Sequence, residues 1–167
     1  MIIETQRLIL REYNENDLDD LYEMLSSPIT MKHYPKPYDM QGSIRWLNWC
    51  MDSYKKNGFG LWAVILKETN TFIGDCGLSM QCINSTWLPE IGYHIKHQYW
   101  RNGYGKEAAE AVKNWAFKNT KFESLYSYMN KENVASYKTA MSIGMKKVDE
   151  YQDDDEYLYV YKIDKNA

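Results

Sequence analysis

Cysteine and histidine are both scarce: three of each occur in 167 residues. Cys50, Cys76 and Cys82 are odd in number and lack paired metal-ligand spacing, and His33, His94 and His97 do not combine with them into a zinc pattern. No metal site or disulfide framework is expected, and a reducing cytoplasm is the simplest compartment. No run approaches the ~20 apolar residues of a membrane span, and the chain opens without a basic-then-apolar leader, so a soluble, unsecreted protein off the membrane is expected. Charge of one sign is not in excess either. The formal net charge is -3 and the Lys and Arg residues are scattered, so the basic face that neutralises nucleic-acid phosphates is missing. No linker, repeat or low-complexity tract interrupts the sequence, whose length fits one domain over residues 1–167.

What is present is aromatic. The composition is 44% hydrophobic and 15% aromatic, with 15 Tyr and 6 Trp, which excludes a disordered chain. Large rings with one polar edge suit thick cores and also clefts for amphipathic ligands.

Residues 7–13 alternate apolar and polar side chains and read as a half-buried strand. Asn14 or Asn16 then caps a helix over roughly 15–26 on the stripe Leu18, Leu21, Tyr22 and Leu25. The segment from Pro28 to Asp39 carries three of the four prolines around Tyr34 and Tyr38, a stiff loop that either lines a pocket or pins its rings on the core. Ser43 is the expected cap of a second helix that Asn57 and Gly58 end. From Gly60 the period changes to that of strands, with a hairpin turning at Thr69 and Asn70 and a further strand opened by Pro89. A third helix over about 105–118, a strand at 125–129, a last helix capped by Asn133, and strands at about 145–151 and 157–163 complete the order βααβββαβαββ. Hairpins in the middle and helical links later favour an α/β (α+β) fold with a mixed, mostly antiparallel sheet and helices on both faces.

The segment QYWRNGYGKEAAEAV places Gly103 and Gly105 between a strand and a helix. A helix start presents unpaired N–H groups and a positive dipole end, and glycine lets the backbone close on an anion. A phosphate or pyrophosphate held by the amides of Arg101, Asn102, Gly103, Tyr104, Gly105 and Lys106 is therefore the natural guest. Gly103, Gly105 and Ala108 also satisfy the G-x-G-x-x-G/A spacing of dinucleotide sites, which would suit a nicotinamide-dependent oxidoreductase. That motif needs an acidic residue at the end of the next strand, and here the strand ends in Met129 and Asn130. The P-loop spacing is absent.

At this point the chain resembles the GNAT acetyltransferases, and within them the branch of ribosomal-protein N-terminal acetyltransferases. The resemblance covers nearly the whole chain. It rests on ETQRLILRE, LWAVILKETNTFIGDCGL, EIGYHI followed by YWRNGYGKEAAEAV, and Asn133, Ser136, Gly144 and Met145 in N-x-x-S-(x)₇-G-M. It implies acetyl-CoA as cosubstrate, with its pyrophosphate on Arg101 to Lys106 and its pantetheine along EIGYHI like an added strand, held by Tyr93 and Ile95 and by the Asn133 side chain. An amine acceptor, either a peptide N-terminus or a small molecule, would attack directly in a ternary complex, with a backbone N–H of the strand at Tyr93 to Ile95 on the oxyanion. Glu90 is the chosen base, through a water, and Ser136 the partner of the leaving thiolate, each against the plainer reading of a solvent-facing carboxylate and a helix-start hydrogen bonder.

The family's frequent general-acid Tyr falls at Ala140 in this sequence, which leaves the acid open. Tyr137, one turn away, is a candidate, with His33 and Tyr34 behind it. The departure also keeps in view a CoA-binding domain without catalysis. The acidic run Asp153 to Glu156 is either a solvated hairpin tip or a lure for cations. Cys76 and Cys82 are expected to be buried small hydrophobes and not nucleophiles. A monomer or a homodimer fits equally.

Overall fold

The computed structural model describes residues 2–167. Its elements follow the order ββααβββαβαββ: β1 (Ile3–Glu4), β2 (Leu8–Arg11), α1 (Leu18–Leu25), α2 (Met40–Asn57), β3 (Leu61–Leu66), β4 (Thr71–Ile83), β5 (Thr86–Ile95), α3 (Tyr104–Asn119), β6 (Ser124–Asn130), α4 (Val134–Ser142), β7 (Lys146–Asp153) and β8 (Glu156–Asp164). The expected order is corrected at one place. The strand missed at the front, β1, has two residues, too few for any period to show, and exists because Ile3 and Glu4 pair with Leu10 and Ile9.

The strands form one eight-stranded sheet in the order β1-β2-β3-β4-β5-β6-β8-β7 among the described residues. Every neighbouring pair is antiparallel except β5 and β6. Two apolar clusters cover its faces. One gathers Leu8, Leu10, Trp62, Ile73, Leu78 and Ile91 with Ala108, Val112 and Ala116 of α3 and Ala140 of α4. The other gathers Ala63, Ile65 and Phe72 with Leu21, Met24 and Leu25 of α1 and Leu47 and Cys50 of α2. Hydrophobic burial of this kind on two faces is what commits the period-two strands to the centre.

Local chemistry sets the helix starts. Asn14 caps a single 3-10 turn (Glu15–Asp17) that leads into α1. Its side chain accepts from the Asn16 amide at 2.9 Å, and Asp17 Oδ2 accepts the Asn14 amide at 2.8 Å in a capping box. The second helix begins three residues before the expected cap. Asp39, not Ser43, receives the Gly42 amide at 2.7 Å, while the Ser43 hydroxyl turns back onto the Asp39 carbonyl at 2.9 Å. Gly58 ends this helix in the left-handed conformation, φ 76°.

Pro89 does not open its strand but sits inside β5 opposite Met80. Pairing of Glu90, Gly92 and His94 with β4 directs Pro89 to the other edge, where its missing N–H disrupts no ladder. At Gly74 and Gly77 the strands approach so closely that a Cβ would meet the carbonyl oxygens of His94 and Gly60 at 2.0 Å.

Candidate active site

The one parallel seam is almost unpaired. β5 and β6 meet in register only at Glu90 and Tyr126, after which a side chain substitutes for the ladder, with Ser127 Oγ donating to the Ile91 carbonyl at 2.8 Å. Lys96 donates its amide to Ile73, so alternate residues of β5 point to β4 and the main chain of Tyr93 and Ile95 points into the gap. The Ile95 carbonyl there accepts from Trp100 Nε1 at 2.6 Å. A cavity of about 990 Å³ runs through this gap, from the turn at 101–106 and the start of α4 on one side to Tyr34, Tyr38, Trp46 and Trp49 on the other.

The glycine turn is built to present amides. Arg101 and Gly103 both take positive φ, 65° and 80°, and Gly103 serves as cap of α3 without a side chain in the way. The Asn102 side chain folds back onto the carbonyls of Tyr99 and Trp100 at 3.1 Å, which fixes the turn, and Asn102 itself lies outside the cavity lining. None of the amides from Arg101 to Lys106 has a partner within the described residues. A Cβ at Gly105 would find nothing nearer than Ile95 Cγ1 at 3.9 Å, so the space before this helix is open. Glu107 anchors the first turn from behind: it accepts from Thr5 Oγ1 at 2.6 Å and from Arg7 Nε at 2.7 Å, and Arg7 lies over the Tyr104 ring.

Across the gap, Asn133 caps α4, its Oδ1 accepting the Ser136 amide at 3.2 Å. Tyr93 Oη donates to the Ser136 carbonyl at 2.7 Å and lies 3.4 Å from Ser136 Oγ. Burial raises the Tyr93 phenol, and it stays protonated.

The opposite face of β5 carries Glu90, Gly92 and His94. Burial pushes the Glu90 carboxyl up to about 8, against the opposing pull of the Tyr128 amide, which donates to it at 3.2 Å. Beside it is a buried polar chain. Asp75 of β4, fully buried, accepts from His94 Nδ1 at 2.7 Å, Tyr13 Oη at 2.9 Å and Trp46 Nε1 at 3.1 Å. His94 Nε2 is in turn hydrogen-bonded to Tyr34 Oη, which lines the cavity. Trp46 stands edge-on to His94, with ring centroids 5.2 Å apart, and Tyr38 and Trp49 flank it.

The chain as a whole has counterparts among known proteins. A family model described as an acetyltransferase (GNAT) domain matches residues 7–146. The chain belongs to the GNAT acetyltransferases. As a GNAT acetyltransferase it is an acyltransferase, and the family implies acetyl-CoA-dependent acetyl transfer. It is similar to the protein YkkB of Bacillus subtilis, 33% identical over 142 residues that cover 84% of this chain and 83% of that one. Its fold is similar to the crystal structure of a GNAT-family acetyltransferase from Bacillus anthracis, with TM-score 0.82, 25% identity and 99% of each chain covered. It is similar in fold, at 12% identity and TM-score 0.81, to a ribosomal-protein α-N-acetyltransferase solved with coenzyme A, over 98% of this chain and 97% of that one.

Membership in the GNAT family removes the nicotinamide reading, whose fold is doubly wound and parallel, where this sheet has a single parallel pair. The GNAT cleft brings together Glu90, Tyr93, Ile95, Arg101, Gly103 to Lys106, Asn133 and Ser136. It does not bring in Tyr137, whose ring stacks on Tyr161 with centroids 6.0 Å apart and lies tilted against Tyr159 at 5.8 Å, outside the cavity lining. Ala140 is fully buried against the core, so no side chain from that position reaches the gap. Cys76 is a buried hydrophobe as expected, its thiol pushed well up by burial, but Cys82 is exposed because its side chain leaves the covered part of β4. Of the acidic run, Glu156 lines the cavity while Asp153, Asp154 and Asp155 lie in solvent. Asp75 and His94 escaped the sequence reading. The available signal was an Asp inside the apolar run FIGDCGL, which needs polar partners once it is buried.

Proposed function

We propose that the protein transfers the acetyl group of acetyl-CoA to a primary amine by direct attack in a ternary complex. The observation that carries this reading is the row of unpartnered amides from Arg101 to Lys106 beside the open edge of β5. Those amides and the dipole of α3 would hold the pyrophosphate. The main chain of Tyr93 and the amide of Ile95 would take the amide units of pantetheine as an extra strand, and the free amide nitrogen of Asn133 would reach the same arm. The bound cosubstrate would supply an activated acyl group on a thiol.

Around it the residues of this chain would divide the remaining work. A backbone N–H in the Tyr93 to Ile95 stretch would receive the oxyanion, and Ser136 Oγ would stabilise the departing sulfur. Glu90, at the boundary between gap and acceptor side, would take the amine proton through a water, a role open to its ionised form near and above pH 8. The acceptor would be the N-terminus of a peptide or a small-molecule amine, entering from the side of Tyr34 and Trp46. The solved structure of a ribosomal-protein acetyltransferase with coenzyme A supports a CoA site on this fold. Residues 1–167 would act as one catalytic domain, in the cytoplasm, as a monomer or homodimer.

The test is thiol release from acetyl-CoA against a panel of peptides, polyamines, amino acids and aminoglycosides, with calorimetry of CoA binding. Saturable binding and turnover on one amine class are expected. Absence of CoA binding at millimolar concentration would overturn the assignment.

A further inference from the structure

Asp75, His94 and Tyr34 have no part in holding a cofactor, yet they form a continuous hydrogen-bonded chain from the sheet interior to the acceptor side of the cleft. We infer that Tyr34 and His94, oriented by Asp75, form a proton relay that accepts the proton of the acceptor amine. The inference rests on the transferase reading above and adds to it a second proton route, distinct from Glu90.

The geometry sets the direction. Asp75 has no N–H or O–H to give as a carboxylate, so the 2.7 Å contact places a proton on His94 Nδ1. When the ring is neutral, Nε2 carries no proton and Tyr34 Oη is the donor of the bond between them. The phenol keeps that role, since burial first, and then the neighbouring Glu90 and Asp75, hold it well above its ordinary range. With its proton turned to His94, the Tyr34 oxygen offers its lone pairs to the cavity. Gly92, between Glu90 and His94 on the same strand face, has no side chain and leaves the floor between them open.

Three donors converge on one fully buried carboxylate, more than is needed to pin a loop. This is how a protein stabilises an imidazolium that forms transiently. In the transfer, the amine N–C bond forms as the C–S bond breaks. The amine proton goes to Tyr34 Oη, the phenol proton goes to His94 Nε2, and Asp75 balances the resulting charge. The relay then returns its proton to solvent through the cleft, matching the one taken up by the thiolate. Groups facing the relay are Tyr13 after β2, Tyr38 in the loop before α2, Arg45 with Trp46 on α2, Asp75 on β4, Glu90 on β5 and Tyr128 on β6.

The experiment compares Tyr34→Phe, His94→Gln, Asp75→Asn and Glu90→Gln in acetyl-CoA turnover with the best amine of the panel. CoA binding, thermal stability and the ring-nitrogen spectra of ¹⁵N-histidine protein are measured alongside. Tyr34→Phe and His94→Gln should lower kcat about 100-fold while KM and CoA affinity stay within about threefold, as expected for loss of proton transfer. His94→Gln should abolish a limb of the kcat/KM pH profile that Glu90→Gln leaves in place. Asp75→Asn is a change in a positioning residue and should alter the His94 tautomer seen in the spectra. Tyr34→Phe keeps the ring and guards against a misfolded His94 variant. Turnover within twofold of wild type in Tyr34→Phe, or a His94 Nδ1 without its proton, overturns the relay and leaves the transferase reading standing. No turnover by the wild-type protein on any amine, with CoA bound, overturns both.

Discussion

Tyr93 Oη donates a 2.7 Å hydrogen bond to the carbonyl of Ser136, and so ties the unpaired half of β5 to the first turn of α4 across the gap in the sheet. The two walls of the cleft are set apart by one phenol. Tyr93→Phe removes this second bond to a half-buried helix carbonyl, which should cost about 1 kcal/mol in urea denaturation. CoA affinity in calorimetry should fall severalfold, because Asn133 and Ser136 ride on that turn.

Glu90 gives the protein a pH dependence with a definite sign. Its carboxyl is raised from 4.5 to about 8 by burial, so the folded state holds a proton that the unfolded state has lost. The stability it contributes is whole below pH 4.5 and is lost as pH rises through about 8. Glu90→Gln should flatten that decline, gaining on wild type between pH 5 and 8 by on the order of a few kcal/mol at most, since cleft water reaches the carboxyl. Thermal melts across this range measure the difference.

Asp17 works in the opposite sense. Burial pushes its carboxyl up, but the two Arg11 hydrogen bonds at 2.8 Å and the Asn14 amide outweigh it and hold it below its ordinary value. Its contribution is therefore present at neutral pH and lost on acidification through that lowered value. Asp17→Asn should destabilise by about 2 kcal/mol at pH 7, as for a capping-box carboxylate with a bidentate Arg partner, and by progressively less as pH falls through that lowered value. Urea denaturation over an acidic pH series checks it.

The glycines of the turn and of the sheet should separate function from folding. Gly105→Leu adds a side chain to open space, so the melting temperature should stay within a few degrees while CoA affinity drops at least tenfold. Gly74→Ala drives a Cβ onto the His94 carbonyl at 2.0 Å and should prevent stable folding, seen as loss of soluble protein or of the cooperative melt.

Periodicity and turn chemistry were enough to place the long elements and the glycine turn, because a half-buried strand and a helix start each leave a mark within a few residues. Where the first element fell short, the cause was length: Ile3 and Glu4 are a strand only by virtue of Leu10 and Ile9. The start of α2 was misplaced at Ser43, which directly precedes the apolar stripe, whereas the cap is Asp39, whose carboxylate reaches the Gly42 amide. The proposed cofactor side of the cleft is largely main chain between Tyr93 and Lys106, close together in the sequence, and is legible. The proposed acceptor side joins Tyr34, Trp46, Asp75 and His94 from four separate segments, and such a meeting exists only after the sheet has formed.

The single-rung seam between β5 and β6 has a mechanical corollary. Among the described residues one ladder position, the Ser127 hydroxyl and the Tyr128 amide on Glu90 join β5 to β6, so an extended guest with amides of its own would act as a missing stitch. Amides along β6 should exchange hydrogen faster in the empty protein than once that stitch is in place, and the chain should be stiffest while it is working.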